Sequence, residues 1–203
     1  MFKLSLDPAG ITVSRLATEL HVAPSSASEM IARLATSGLA ERKDGRVVLT
    51  KRGRQQGASL VRRHRLSERF LVDVLHLPWD KAHDEACKFE HALSPDVEAR
   101  LAERLGNPAT CPHGYPIPDE RGGLAGSTAR PLASLQAGER GVIERVDEAD
   151  PELLRYLASL GLLPDTPVSV ESVAPFGGPQ LVRVGQAQYA LGREVAARVF
   201  VRG

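Results

Sequence analysis

The amino-acid sequence predicts an α+β chain in three parts: an N-terminal winged helix-turn-helix, a helical middle and a C-terminal SH3-like β-barrel. Three observations carry this prediction. Helical patterning gives way to a hairpin near the N-terminus. Two long apolar-periodic helices follow. Short strand-like runs, separated by Gly and Pro, complete the chain.

Residues 11–20, ITVSRLATEL, set Ile11, Leu16, Ala17 and Leu20 at helical spacing. HVAP is a short turn. SSASEMIARLATSG then reads as a second helix, with Ser25 or Ser26 as N-cap and Glu29 following as in a capping box. Met30, Ile31 and Leu34 form its apolar stripe, and Gly38 stops it. Two short helices around a tight turn are the minimal helix-turn-helix. LAERKDGRVVLT, residues 39–50, changes period around Asp44-Gly45, a strong hairpin signal, and carries Arg42, Lys43 and Arg46 near its tip. In a winged helix-turn-helix of this order, the second helix enters the major groove and basic wing residues hold phosphates.

Charge supports that reading. The net charge is only +1, but residues 1–65 hold 12 Lys+Arg against 5 Asp+Glu, and the remainder holds 14 against 20. Such asymmetry points to a polyanion, double-stranded DNA, as the partner of the first third. The hydrophobic fraction of 42% supports a real core. No apolar run approaches the roughly 18–20 residues of a membrane span. MFKLSLDPAG lacks the features of a signal peptide. Cys87 and Cys111 are too few for a disulfide framework, which favours a reducing cytoplasm.

From about 53 to 77 the chain reads as one helix, with Leu60, Val61, Leu66, Phe70, Leu71, Val74 and Leu75 apolar. Pro78 interrupts it. A second helix runs from near Trp79 to about 105, and Pro95 after Ser94 can start a separate one. Long apolar faces beside a small domain call for a second subunit, so a homodimer is expected, matched to a palindromic operator. Residues 106–130, with prolines at 108, 112, 116 and 118, read as a linker. GERGVIERV, TPVSVESV, GPQLVRV and ARVFVRG then read as strands, with DPELLRYLASLG a helix among them. The expected domains are 1–57, 58–108 and 131–203, with 109–130 between them.

The chemistry concentrates in the middle. Four of the six histidines fall between 64 and 91. On a helix, His83, Cys87, Glu90 and His91 lie within an arc of about 100°. His64 and Glu68 stand one turn apart on the preceding helix. Imidazole, carboxylate and thiolate are the donors a divalent transition metal takes. The mixed set suits iron or manganese, though zinc, cobalt and nickel also accept it. Cys111 and His113 form a C-x-H pair that can ligate metal, but in a Pro-rich stretch its ordinary role is structural. A metallohydrolase with the same ligands is the enzymatic alternative, but HDEAC and FEH do not reproduce H-E-x-x-H. A constitutive DNA-binding protein with a structural metal is the other alternative.

The runs HRLSERFL, HDEACKFEHALSPDVEARL and CPHGYPIP closely resemble the diphtheria toxin repressor (DtxR/MntR) family of iron- and manganese-dependent transcriptional regulators. The resemblance covers nearly the whole chain. It implies a non-enzymatic repressor of metal homeostasis, activated by Mn(II) or Fe(II), with a C-terminal SH3-like domain of the FeoA type. It also implies Cys87, Glu90 and His91 at a primary, activating metal site and His64, Glu68 and His83 at an ancillary one. The PSSASE segment resembles the start of the family's recognition helix, which implicates Pro24, Ser25, Ser26, Ser28 and Glu29 in DNA contact. The family's primary site takes a further ligand from the first helix. This chain begins too late to show that helix in full, and Asp7 is the only nearby carboxylate. The SH3-like domain can add a ligand to the ancillary site. Glu144, Asp147, Glu148 and Asp150 all qualify, with Glu148 as the tentative choice, although an acidic start to a helix is the simplest reading of that cluster.

Overall fold

A computed structural model describes residues 1–6, 10–43 and 45–203. Asp7 and the hairpin-tip Asp44 lie outside the described residues. The chain divides into two compact units: Met1–Arg62 with Pro118–Gly123, and Arg63–Ile117 with Leu124–Gly203.

The first unit holds α1 (Phe2–Ser5), α2 (Val13–Glu19), α3 (Pro24–Thr36), β1 (Ala40–Lys43) and β2 (Arg46–Leu49). Thr12 caps α2 by accepting from the Arg15 amide at 3.2 Å. The start of α3 differs from the expected capping box. Ala23 is its N-cap, no side chain caps it, and Pro24 occupies the first turn. Proline suits that position because its ring presets the helical φ and the missing N–H would be unpaired there. Ser25, Ser26 and Glu29 therefore lie inside the helix. Gly38, at φ +68, follows the C-cap Ser37 and turns the chain into β1. The strands pair antiparallel from Ala40↔Leu49 to Lys43↔Arg46. Ile11, Leu16, Ala17, Ala27, Ile31, Ala40, Val47 and Leu49 form the core. Leu20 is not among them: it is the C-cap of α2 and stays exposed.

α4 (Lys51–Arg69) starts directly after the hairpin and crosses from the first unit to the second. Its Gly53 is set by close approach: a Cβ there would lie 1.9 Å from the Leu39 carbonyl oxygen. A π-helical turn, Phe70–Val74, ends the helix before Pro78. The next stretch is two helices, α5 (Trp79–Phe89) and α6 (Pro95–Arg104), with Ser94 capping α6 through the Val97 amide. The expected linker is ordered in its first part. Thr110 bridges Pro116, Cys111 and His113 are buried, Arg69 Nε donates to the Thr110 carbonyl at 2.7 Å, and Arg65 donates to the Pro116 carbonyl.

The C-terminal part of the second unit adds β3 (Arg130–Pro131), β4 (Arg140–Val146), α7 (Pro151–Ser159), β5 (Pro167–Val173), β6 (Gln180–Val184), β7 (Ala187–Leu191), α8 (Arg193–Ala197) and β8 (Val199–Arg202). The strands form one antiparallel sheet in the order β3-β8-β4-β5-β6-β7. Among the described residues β3 and β7 do not pair, so the expected closed barrel is an open sheet. β3 is two residues long, and Pro131 has no N–H to give a further ladder. Leu132, Ile143, Leu154, Leu157, Val170 and Leu191 lie in its core.

Gly53→Ala tests the packing of α4 on its own unit. Alanine is favoured over glycine in a helix by about 1 kcal/mol. Here the backbone clash wins, and a net destabilisation of about 2 kcal/mol or more is expected. Denaturant unfolding monitored by circular dichroism measures it, and an unchanged or raised midpoint would refute the close approach.

Candidate metal centre

Helical spacing puts His64 and Glu68 one turn apart on α4, and His83 and Cys87 one turn apart on α5. His64 and Glu68 are buried, His83 is half-buried and Cys87 is exposed. His64 Nε2 lies 3.1 Å from both Glu68 Oε1 and His83 Nδ1. Its Nδ1 lies 2.7 Å from Glu90 Oε2 and 4.0 Å from Cys87 Sγ. Cys87 Sγ is 3.9 Å from His83 Nε2. One donor atom from each of His64, His83 and Cys87 falls within 4.8 Å of the others.

A second set includes Glu68 itself. Cys111 and His113 reach it from a loop closed by Gly114, whose φ is +90 and whose added Cβ would fall 1.9 Å from the Glu144 carbonyl oxygen. His113 Nε2 donates to the Trp79 carbonyl at 2.9 Å, which leaves Nδ1 as the lone-pair nitrogen of the neutral ring. That Nδ1 lies 3.5 Å from Glu68 Oε1 and 3.9 Å from Glu148 Oε2. Glu148 comes from the bend between β4 and α7. Asp150 caps α7, and both Asp147 and Asp150 pair outward with Arg198. Glu148 alone of the three turns inward, and its carboxylate also lies 4.0 Å from His83 Nδ1. Donor atoms of Glu68, Cys111, His113 and Glu148 all fall within 4.8 Å of one another.

The electrostatics suit a cation. Burial opposes a charge on Glu68, but the neighbouring His113, His64 and His83 imidazoles outweigh it and hold the carboxyl well below its usual range. Burial, then the nearby Glu68 and Glu148 carboxylates, push the Cys111 thiol well above its ordinary value. Burial works against a charged His113, yet the same two carboxylates raise it overall. Among the described residues, Glu68 Oε2 and His113 Nδ1 are buried without a well-formed hydrogen bond. Two buried carboxylates, a thiol and an imidazole with donor atoms left over fit a divalent transition metal.

The structure regroups the donors expected from sequence. His64, Glu68 and His83 do meet. Cys87 joins His64 and His83, and Glu90 touches His64. His91, just beyond α5, is 70% exposed, with its imidazole 3.4 Å from Glu90. Cys111 and His113, read from sequence as structural, line the second set. Their C-x-H spacing was the available signal. On the first unit, Pro24, Ser25, Ser26 and Glu29 are exposed along α3, Ser28 is half-buried, and Arg42, Lys43 and Arg46 are exposed on the hairpin.

A helix-turn-helix with a basic wing, joined through one helix to a buried His/Cys/Glu set, is the build of a metal-responsive regulator. Residues 2–48 match the N-terminal DNA-binding domain of the iron-dependent repressors. Residues 50–119 match their metal-binding and dimerisation domain, and 130–203 match the FeoA domain. The iron-dependent repressor IdeR of Mycobacterium tuberculosis is 36% identical over 213 residues, covering 97% of this chain and 91% of that protein. The diphtheria toxin repressor of Corynebacterium diphtheriae is 38% identical over 122 residues, covering 58% of this chain and 54% of that protein. A manganese-dependent transcriptional repressor in complex with manganese superposes with a TM-score of 0.87 at 39% identity, covering 95% of this chain and 90% of that one. The chain belongs to the diphtheria toxin repressor family of iron- and manganese-dependent repressors.

Metal binding at Cys111 must displace its proton, because the thiol is held protonated at neutral pH. Apparent affinity should therefore rise with pH, by about tenfold per unit for each proton released. Titration calorimetry in buffers of different ionisation enthalpy counts those protons. Heats independent of the buffer would contradict thiolate ligation.

Proposed function

We propose that this chain is a transcriptional repressor of metal-ion homeostasis that binds a palindromic operator as a homodimer when Mn(II) or Fe(II) is bound. The observation that supports this best is the meeting of donors from α4, α5, the 111–113 loop and the β4–α7 bend around Glu68, in a chain that begins with the family's DNA-binding domain. One set would be His64, His83 and Cys87, with Glu90 beside it. The other would be Glu68, Cys111, His113 and Glu148. The cytoplasm, where thiols stay reduced, is the proposed site of action.

A bound ion would supply positive charge to a space lined by the buried Glu68 and Glu148 carboxylates. The chain's own residues do the rest. Glu68 and Glu148, both buried, oppose each other's charge when no cation offsets them. His113 is oriented by the Trp79 carbonyl and stacks against the Trp79 ring, with centroids 5.3 Å apart. Asp80, one turn before His83, pairs with Arg155 of α7 at 2.9 Å, which ties α5 to the element following Glu148. His64 and Glu68 sit on α4, the helix that follows the wing in the chain. Thermodynamic linkage then requires that metal raise operator affinity if it favours the arrangement that binds DNA. Phe70 and Phe89 stack at 6.2 Å beside exposed Val74 and Leu75, and this apolar face is proposed as the seat of the second subunit.

Fluorescence anisotropy on operator DNA, with Mn(II) or Fe(II) and with chelator, tests this reading. Metal should tighten binding by about 5- to 150-fold, the usual range of such coupling. His83→Ala should abolish most of that response while leaving the circular dichroism spectrum intact. Operator affinity that is indifferent to metal and chelator would refute the proposal.

A further inference from the structure

The recognition helix carries one acidic residue, and its position is unexpected for a surface that meets DNA. At 100° per residue, Ser25, Ser26, Glu29, Ala32, Arg33 and Thr36 share one arc of about 120° on α3, with Glu29 near its centre. All six are exposed. Ala27 and Ile31, on the opposite side, are in the core. Glu29 is therefore aimed outward from the middle of the face that the packing leaves free. It does not cap the helix, since Ala23 and Pro24 occupy that end. Among the described residues it has no hydrogen-bond or ion-pair partner. The small side chains around it, Ser25, Ser26 and Ala32, leave it the longest acceptor on that face.

A carboxylate pressed against a duplex is repelled by phosphates on both sides. It is tolerated in a major groove only where it meets a hydrogen-bond donor. Of the base edges there, guanine offers two acceptors, thymine one acceptor and a methyl group, and adenine a donor beside an acceptor. Cytosine offers its N4 amino group alone. We propose that Glu29 is a specificity-determining residue that reads a cytosine, one C·G pair in each half of the operator. This rests on the reading of α3 as the DNA-reading helix of a metal-activated repressor. It goes beyond that reading by fixing which base pair one side chain selects.

The repulsion gives the inference an unusual signature. Removing the carboxylate should loosen discrimination and at the same time strengthen binding to DNA of unrelated sequence. A residue that merely supported the helix would weaken both. The side chain is exposed, and alanine and glutamine both suit a helix interior, so both variants keep the fold.

The experiment is selection from a randomised operator library with the full-length, Mn(II)-loaded protein, comparing wild type, Glu29→Ala and Glu29→Gln. Affinities for single-position operator variants follow by anisotropy. Wild type should fix cytosine at one position per half-site. Glu29→Ala should lose that preference by roughly ten- to a hundredfold, the range expected of one good base contact. It should also bind a scrambled duplex more tightly than wild type does. Glu29→Gln should move the preference at that position towards adenine, whose N6 and N7 match an amide. Identical selected sites for all three proteins would overturn the inference while leaving metal-dependent repression standing. A uniform loss of affinity for every sequence would overturn it too. If wild type selects no site with or without Mn(II), the underlying reading of α3 fails along with it.

Discussion

Glu68 is a carboxylate without solvent, held where α4, α5 and the 111–113 loop meet, and the chemistry of the middle of the chain is arranged around it. A buried charge is costly unless hydrogen bonds and counter-charges surround it. Three imidazoles answer that demand here. His64 comes from the same helix one turn earlier, His83 from α5 and His113 from the loop. Each of these contacts fixes an element as well as a charge. Glu68 thus touches members of both donor sets.

The elements that bring those donors together are fixed by ordinary packing and backbone constraints. Gly114 lets the Cys111–His113 loop approach β4, where any larger residue would meet the Glu144 carbonyl. The Trp79 carbonyl sets the imidazole of His113, and the Trp79 ring packs against the apolar core of the C-terminal sheet. Arg198 draws Asp147 and Asp150 outward, so the same short acidic run sends Glu148 inward. The bend after β4 thus places a buried carboxylate beside Glu68, Cys111 and His113 within its own unit.

Much of this was legible in the amino-acid sequence, and the failures have physical causes. Periodicity located α3, α4 and the hairpin because those elements are amphipathic and short-range. The i, i+4 pairs His64/Glu68 and His83/Cys87 were legible for the same reason. The division into sets was not. Whether Cys87 faces His64 or His91 depends on how two helices pack and on where α5 ends, and it ends at Phe89, which leaves His91 outside on the surface. Cys111 and His113 were readable as a pair but not as neighbours of Glu68, because that contact is set by tertiary packing. The capping box at Ser25 failed because Pro24 already occupies the helix start. The closed barrel failed because its first strand is only two residues long.

The most direct test of the two-set arrangement is a crystal structure of the Mn(II)-loaded protein with anomalous difference maps. Two peaks per chain are expected, one bonded by Glu68, Cys111, His113 and Glu148, the other by His64, His83 and Cys87. Peaks bonded by His91 and lacking Cys111 and His113 would contradict the arrangement, as would well-occupied metal with neither set engaged.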